Sequence, residues 1–415
     1  MVLSDRKAKG MDTRTKIGFV GAAGALIVLY FASGSPIPLY SVYQEELGLS
    51  HGQLSMVSMY YLLGTVIPLM FLPRISDHLG RRPATVMILL VSICGCITFA
   101  YLSNPEMLMV GRLIQGIASG LGSSTIAAYV VDLSSEMPRW VGPMITSSAP
   151  TLGLSVGCFV SGGVSNFTSV SSETYFELVA AVVVVFIVLV LLAAETMQRK
   201  PGLLRSLRPR FTLPSNSLRL FAASSMVFIG TWSLGGFAQS FSSTLVAEQF
   251  GIHDTFIAAA VYTSLLLPNV VGSFFAKRLD VRVAQRCGFG IFALCAVMMY
   301  VSLTVLDSLG SYVVFSIIAA VCQGIAFTGS VTELLSRSTQ AQRSGVFSLI
   351  YLTSYGGSAI PNLVVGLIPG EYSLYTILTG YVVLVVAMYL VMLALSARPY
   401  PKVEARDVPI ATDGQ

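Results

Sequence analysis

Charged residues are scarce in this chain of 415 residues. Asp, Glu, Lys and Arg together make up 11% of it, against 54% apolar residues, and that charged share is about half of what soluble proteins carry. The scarcity excludes a soluble domain with a membrane anchor and predicts a polytopic membrane protein. The net charge of +5 does not indicate nucleic-acid binding, because the basic residues follow membrane topology and face anionic lipid.

Catalytic and metal-binding arrangements are also missing from the sequence. It contains 3 His, and no Ser/His/Asp, metal-ligand or phosphate-binding constellation stands out. We therefore predict that the protein is not an enzyme and has no catalytic residue, no metal and no cofactor. The 6 Cys all lie in apolar stretches, which predicts small packing residues rather than a disulfide framework.

Apolar stretches of about 20 residues, the length that crosses a bilayer as a helix, recur twelve times. All Lys and Arg except Arg112 lie in segments that can share one membrane face, while the loops of the other face carry only acids, for example Glu106 and Asp307. By the positive-inside rule, both termini are cytoplasmic. The predicted spans are 17–42, 53–73, 84–102, 107–131, 141–165, 175–194, 218–243, 255–276, 287–305, 311–334, 345–368 and 374–396.

The sequence divides into two related halves. Gln115-Gly116-Ile117-Ala118 in span 4 recurs 208 residues later as Gln323-Gly324-Ile325-Ala326 in span 10. A duplicated six-helix unit is a transporter architecture. We therefore predict an all-α membrane protein of twelve transmembrane helices in two six-helix bundles. Its parts are an N-terminal bundle at 1–194, a cytoplasmic linker at 195–217, a C-terminal bundle at 218–396 and a cytoplasmic tail at 397–415.

The loop between spans 2 and 3 resembles the signature loop of the major facilitator superfamily, Gly-x-x-x-Asp-Arg-x-Gly-Arg-Arg. Pro73 and His78 depart from that pattern. The resemblance implies the major facilitator fold and a conformational switch in which the loop Asp meets the start of helix 11, a position that favours a carboxylate. The matching residues, and so the predicted switch loop, are Asp77, Gly80, Arg81 and Arg82.

Arg112 is the only basic residue inside an apolar span. A guanidinium in hydrocarbon costs roughly 2.5–3.5 kcal/mol on insertion scales, so its presence requires a reason. The second half has Ala320 at the corresponding position, so the fold does not demand the charge. Arg112, together with Gln115 and Gly116, resembles the Arg-x-x-Gln-Gly motif of proton-coupled superfamily members.

That resemblance implies that Arg112 and Gln115 take part in proton coupling, because a fixed cation helps a neighbouring carboxylate release its proton. No acidic residue lies deep in any span, so the carboxylate itself is not identified. Asp132 and Glu333 are the candidates for carrying the proton, although both also suit salt bridges at helix ends.

Span 5 contains Gly157-Cys158-Phe159-Val160-Ser161-Gly162, which is similar to the Gly-Pro-x-x-Gly-Gly motif of drug:proton antiporters except at Cys158 and Ser161. The chain thus resembles the twelve-helix drug:proton antiporter type. We predict a secondary active transporter that exports small organic molecules by alternating access, driven by the proton gradient. Its partners are the substrate, protons and membrane lipids, and it works as a monomer in the plasma membrane, the cytoplasmic membrane of a bacterium.

Two other functions stay open at the level of the sequence. One is an uptake permease or facilitator for a sugar, an amino acid or an organic acid, and the other is a flippase for a lipid-linked substrate. In the superfamily the cavity is lined by helices 1, 4, 7 and 10, with 2, 5, 8 and 11 beside them. A cavity with few charges and many rings suits an amphipathic or weakly charged organic substrate. The further cavity candidates are Tyr40, Tyr60, Trp232, Gln239, Tyr262, Asn269, Gln323 and Asn362.

Overall fold

Twelve long helices make up most of the described part of the chain. The computed structural model describes residues 13–138, 141–197, 213–214, 217–276, 278–339, 342–369 and 372–400, and these contain no strand. The prediction of an all-α fold with twelve membrane helices is confirmed. The helices are α1 Thr13–Gly34, α2 His51–Phe71, α3 Arg81–Ala100, α4 Pro105–Leu133, α5 Val141–Phe167, α6 Ser172–Leu192, α7 Leu218–Phe250, α8 Thr255–Ser264 with Asn269–Ala276, α9 Val281–Thr304, α10 Leu309–Ser336, α11 Arg343–Leu367 and α12 Leu374–Ser396.

Eleven helices of the described residues are long and apolar enough to cross a membrane. The twelfth, α11, has the length at 25 residues but is richer in Gly, Ser and Thr. A short helix, Tyr40–Leu47, extends α1 beyond a 3₁₀ turn at Ile37–Leu39. Polar side chains in a spanning helix must face protein or water, so the composition of α11 indicates a helix that faces the interior.

Related sequence features end α1 and α7 in the same way. Gly48 closes the extension of α1 with φ 63°, and Gly251 closes α7 with φ 62°. This left-handed conformation is the usual cap after a helix and favours glycine. Ser50 then starts α2 with a capping box, in which its Oγ accepts from the Gln53 amide and its own amide donates to Gln53 Oε1.

Glycines let α2 and α4 pack closely, and the same arrangement recurs between α8 and α10. At each position a Cβ atom would collide with backbone of the facing helix. Small residues of this kind permit close approach of membrane helices. The contacts correspond at the offset of 208 residues, which supports the duplication inferred from the sequence. They are Gly116 with Tyr61 and Gly64 with Leu113 in the first half, and Gly324 with Asn269 and Gly272 with Val321 in the second.

The two sets of six helices meet along two seams. Within α1–α6 the main contacts include α1 with α5 and α2 with α4, and within α7–α12 they include α7 with α12 and α8 with α10. Between the sets, α2 packs on α11 and α5 packs on α8. Most of the predicted linker 195–217 and of the predicted tail 397–415 lies outside the described residues, so those domain bounds stay predictions.

Candidate functional site

Asn362 of α11 joins the two sets of helices. Its Oδ1 accepts hydrogen bonds from Ser55 Oγ of α2 at 2.9 Å, Ser240 Oγ of α7 at 3.0 Å and Tyr381 OH of α12 at 2.8 Å. The Asn362 side chain is completely buried. Its hydrogen bonds therefore form in a low-dielectric interior, where a lost partner is costly.

A histidine and a glutamate cross the same seam nearer the surface. His51 Nε2 of α2 lies 3.0 Å from Glu248 Oε1 of α7, and His51 Nδ1 lies 2.8 Å from the Tyr372 carbonyl. Gln44 Nε2 also donates to Glu248 Oε1, at 3.0 Å. Both ring nitrogens of His51 therefore face acceptors that belong to the second half. No local sequence pattern predicts this pair, whose members lie 197 residues apart.

The second seam is closed at the same end of the molecule. Thr255 Oγ1 of α8 donates to the Gly162 carbonyl of α5 at 2.8 Å, and Asn166 Nδ2 donates to Asp254 Oδ2 at 3.1 Å. We call the region formed by residues 41–55, 162–166, 243–255, 362–369 and 372 the closed end. It lies opposite the end where α1 and α3 begin, since alternate helices run in opposite directions.

Arg112 of α4 lies below the closed end and is 0% exposed. Its Nη1 donates to the Ser33 carbonyl of α1 at 2.7 Å and to Gln115 Oε1 at 3.0 Å. Gln115 Nε2 in turn donates to the Ala32 carbonyl at 2.9 Å. Arg112 and Gln115, predicted as one motif, are thus brought together and fix α4 to the end of α1.

Two tyrosine rings enclose the guanidinium. Its Cζ lies 4.4 Å from the centre of the Tyr61 ring and 5.7 Å from that of Tyr40. A cation over an aromatic face is stabilised by the ring quadrupole, by about 2 kcal/mol when it is desolvated. We call Arg112 with these two tyrosines the Arg112 cluster. Tyr262 of α8 is also buried.

The carboxylate expected beside Arg112 is missing from the described residues. The Nε and Nη2 atoms of Arg112 have no hydrogen-bond partner there, and α1, α2, α5 and α8 contain no Asp or Glu. Asp132 lies about 20 residues further along α4, roughly 30 Å away at the helical rise. It pairs with Arg81 Nε at 3.1 Å, and Glu333 pairs with Arg337. Both proton-carrier candidates thus occupy helix-end ion pairs.

Aromatic side chains of the second half form a continuous row. Phe347, Tyr351 and Tyr355 follow one another along α11 with ring centres 6.2 Å apart. Tyr355 then contacts Trp232 of α7 edge to face at 4.7 Å, and Trp232 lies 6.2 Å from Phe327 of α10. We call these five residues the aromatic row. Phe347 and Tyr351 are 37% and 38% exposed, so the row leads from the protein interior towards an accessible surface.

The other predicted cavity residues do not belong to the aromatic row. Asn362 forms the buried contacts at the closed end, and Asn269 Oδ1 accepts a hydrogen bond from Ser273 Oγ at 3.2 Å. Tyr60, Gln239 and Gln323 make none of the contacts described above. Of the predicted cavity residues, Tyr40 lies beside Arg112, and Trp232 packs on Phe327 and Tyr355.

The predicted switch loop forms an ion-pair network within the first half. Arg81 Nη1 pairs with Asp77 Oδ1 at 3.1 Å. Glu195 accepts hydrogen bonds from the Arg81 and Arg82 amides at 2.8 and 3.1 Å, which caps the start of α3. Gly80 has φ 96°, a backbone conformation that favours glycine, and a Cβ there would lie 2.7 Å from Glu195 Oε2. The expected contact of Asp77 with the start of α11 involves a region next to residues 340–341, outside the described residues, and stays a prediction.

These features define the class of protein: a multi-pass membrane protein built from two related six-helix units around a buried polar and aromatic centre. The sequence profile of the Major Facilitator Superfamily matches residues 22–362, most of the chain. The chain belongs to the Major Facilitator Superfamily.

Relatives and solved structures agree with this family. The multidrug resistance protein MdtL of Klebsiella pneumoniae is 30% identical over 117 residues, 27% of this chain and 29% of MdtL. The acurin A biosynthesis cluster MFS-type transporter of Aspergillus aculeatus is 29% identical over 148 residues, 36% of this chain and 27% of the relative. The aligned stretches thus span less than a third of either relative.

Two solved structures share the fold at low sequence identity. A mutant of the nucleoside transporter NupG superposes with a TM-score of 0.66 at 15% identity, covering 90% of this chain and 100% of NupG. An inward-facing, unoccupied bacterial homologue of the human lysosomal transporter Spinster gives a TM-score of 0.67 at 14% identity, covering 94% and 96%.

Proposed function

We propose that this protein is a secondary active transporter that exports small organic molecules in exchange for protons. The observation that carries the proposal is the Arg112–Gln115 pair, which joins α4 to α1 directly below the closed end. A fixed cation at this position responds to any movement of α1, because such movement breaks its contacts with the Ala32 and Ser33 carbonyls. The similarity to MdtL supports export as the direction.

The seams support alternating access as the mechanism. The contacts of Asn362, His51 and Thr255 join the halves at the closed end, whereas the aromatic row reaches an accessible surface further along α11. With the termini in the cytoplasm, the closed end faces outwards and the aromatic row faces the cytoplasm. Rocking of one six-helix unit against the other then exposes the centre to each side in turn.

The experiment is proton-coupled efflux in everted membrane vesicles. Addition of a transported compound to energised vesicles should dissipate the pH gradient, measured with a pH-sensitive fluorescent dye, and Arg112→Ala should remove this response. Vesicles without the protein provide the background. A facilitator or a flippase gives no substrate-induced pH change, so uptake or lipid movement without proton movement would contradict the proposal.

The two acidic candidates are tested in the same vesicles. Asp132 and Glu333 hold ion pairs with Arg81 and Arg337, so we expect Asp132→Asn and Glu333→Gln to slow transport without uncoupling it. The measurement is the ratio of protons moved to substrate moved. Uncoupled transport in either variant would instead identify that residue as the proton carrier.

A further inference from the structure

Two nitrogen atoms on one edge of the Arg112 guanidinium carry the inference. Nη1 donates hydrogen bonds to the Ser33 carbonyl and to Gln115 Oε1, while Nε and Nη2 have no hydrogen-bond partner among the described residues. Nε and Nη2 lie side by side on the guanidinium, and their two N–H groups form the edge that binds a carboxylate through parallel hydrogen bonds. A buried cation with that edge empty is incompletely compensated.

The described part of the chain places no anion on this edge. The helices around Arg112 that the structure describes, α1, α2, α5 and α8, contain no Asp or Glu. What they offer instead is the Tyr61 ring, 4.4 Å from the guanidinium carbon. Tyr61 lies on α2, which packs on α4 on one side and on α11 on the other, and Val66 and Met70 of α2 line one small pocket together with Tyr355. The helix that carries Tyr61 therefore lies between Arg112 and the aromatic row.

The second-half helices α7 and α11, which carry Trp232 and Tyr355 of the aromatic row, are uncharged away from their ends. In α7 the charged residues are Arg219 and Glu248, which lie close to its two ends, and α11 carries Arg343 at its first position. Between these ends, Trp232 and Tyr355 present ring faces and edges rather than charge. Such a wall accepts the apolar ring of a ligand but gives no counter-ion to a cationic one.

We infer that the transported compounds are aromatic organic anions, held by a carboxylate on the Nε–Nη2 edge of Arg112 and by a ring against Trp232 and Tyr355. This inference rests on the proposed transport function and names its substrate class. Arg112 is sealed in the present arrangement. The anion therefore reaches it after Tyr61 moves off the guanidinium, and it replaces the Tyr61 contact.

Direct binding to the purified full-length protein tests the inference without relying on transport. The sequence contains 2 Trp, Trp140 and Trp232, so Trp140→Phe leaves Trp232 as the only tryptophan, whose fluorescence is excited selectively over that of the tyrosines. Three matched quenchers are titrated: 4-nitrobenzoate, 4-nitrobenzyl alcohol and 4-nitrobenzylamine. We expect the acid to bind about ten-fold more tightly than the alcohol, as charge-assisted hydrogen bonds predict, and the amine to bind most weakly.

The Arg112 variants separate a charge effect from a folding effect. Arg112→Gln should bind the acid no better than the alcohol while its affinity for the alcohol is unchanged, which shows that the aromatic part of the site is intact. Arg112→Lys should keep part of the preference, and Arg278→Gln, at an exposed arginine, should keep all of it. A preference for the acid that survives in Arg112→Gln, or no preference in the parent protein, would overturn the inference.

The two proposals fail separately. Preferential binding of the acid, without proton movement in vesicles, contradicts the proposed antiport and leaves the anion site standing. Proton-coupled efflux of cationic or neutral compounds, without preferential binding of the acid, overturns the anion site alone.

Discussion

The two halves share their glycine-mediated helix contacts but differ in the residues next to those glycines. Gly116 and Gly324 bring equivalent helices together at the same offset, yet Tyr61 and Arg112 of the first half correspond to Asn269 and Ala320 of the second. A feature present in both halves is required by the fold, whereas one present in a single half is free to serve function. We therefore propose that the Arg112 cluster is the functional side of the duplication.

The largest expected effect comes from placing the charge in the second half. Ala320 is completely buried, and Ala320→Arg buries a guanidinium without the carbonyls and rings that Arg112 has. We expect a loss of about 3–5 kcal/mol of stability, seen as loss of monodisperse protein in fluorescence-detected size exclusion. The reverse change, Arg112→Leu, should keep the fold because it removes an incompletely paired buried charge. Equal loss of folded protein in both variants would contradict the asymmetry.

The glycine contacts should behave alike in both halves. Gly116→Val and Gly324→Val each place side-chain atoms against facing backbone, at Tyr61 and at Asn269. Forced overpacking of this kind costs about 1–3 kcal/mol, and we expect similar drops in the thermal unfolding temperature of the two variants. Gly235→Ala and Gly380→Ala are matched controls because nothing lies within 4 Å of the added Cβ. A large drop in one half only would show that the halves do not share their packing.

The sequence supported prediction of the features that are encoded locally. Span positions, the duplication and the motif of Arg112 with Gln115 follow from hydropathy, spacing and local residue order. The seams could not be predicted, because Ser55 and Asn362 lie 307 residues apart and nothing local encodes their meeting. Asp132 was ambiguous for a related reason: whether a helix-end carboxylate carries a proton or pairs with Arg81 depends on a partner outside its own helix.

Weakening the closed end should shift the protein towards its other arrangement. Asn362→Ala removes the acceptor that Ser55, Ser240 and Tyr381 share. Ser55 and Ser240 keep backbone acceptors at Asn362 and Gly236, but the buried Tyr381 hydroxyl loses the acceptor at Asn362, which costs about 1–3 kcal/mol. In a cysteine-free background with Ser243→Cys, whose position contacts Ser41 across the halves, we expect labelling by an impermeant maleimide to rise at least about five-fold.

Asn269→Ala is the matched control for this labelling, because Asn269 bonds Ser273 within one half. Its labelling rate should equal that of the parent. Unchanged labelling in Asn362→Ala would mean that Asn362 does not hold the halves together.

The smallest effect belongs to the ion pair at the surface of the seam. Glu248→Gln keeps a hydrogen-bond acceptor for His51 but removes the charge, and the Glu248 side chain is 45% exposed. Exposed pairs contribute about 0.2–1 kcal/mol, so labelling at Ser243→Cys should rise less than in Asn362→Ala and should approach the parent value as salt screens the pair. Glu45→Gln, which affects the more exposed pair with His253, should change labelling still less. A larger response to Glu248→Gln than to Asn362→Ala would place the main contact between the halves at the surface pair rather than at the buried amide.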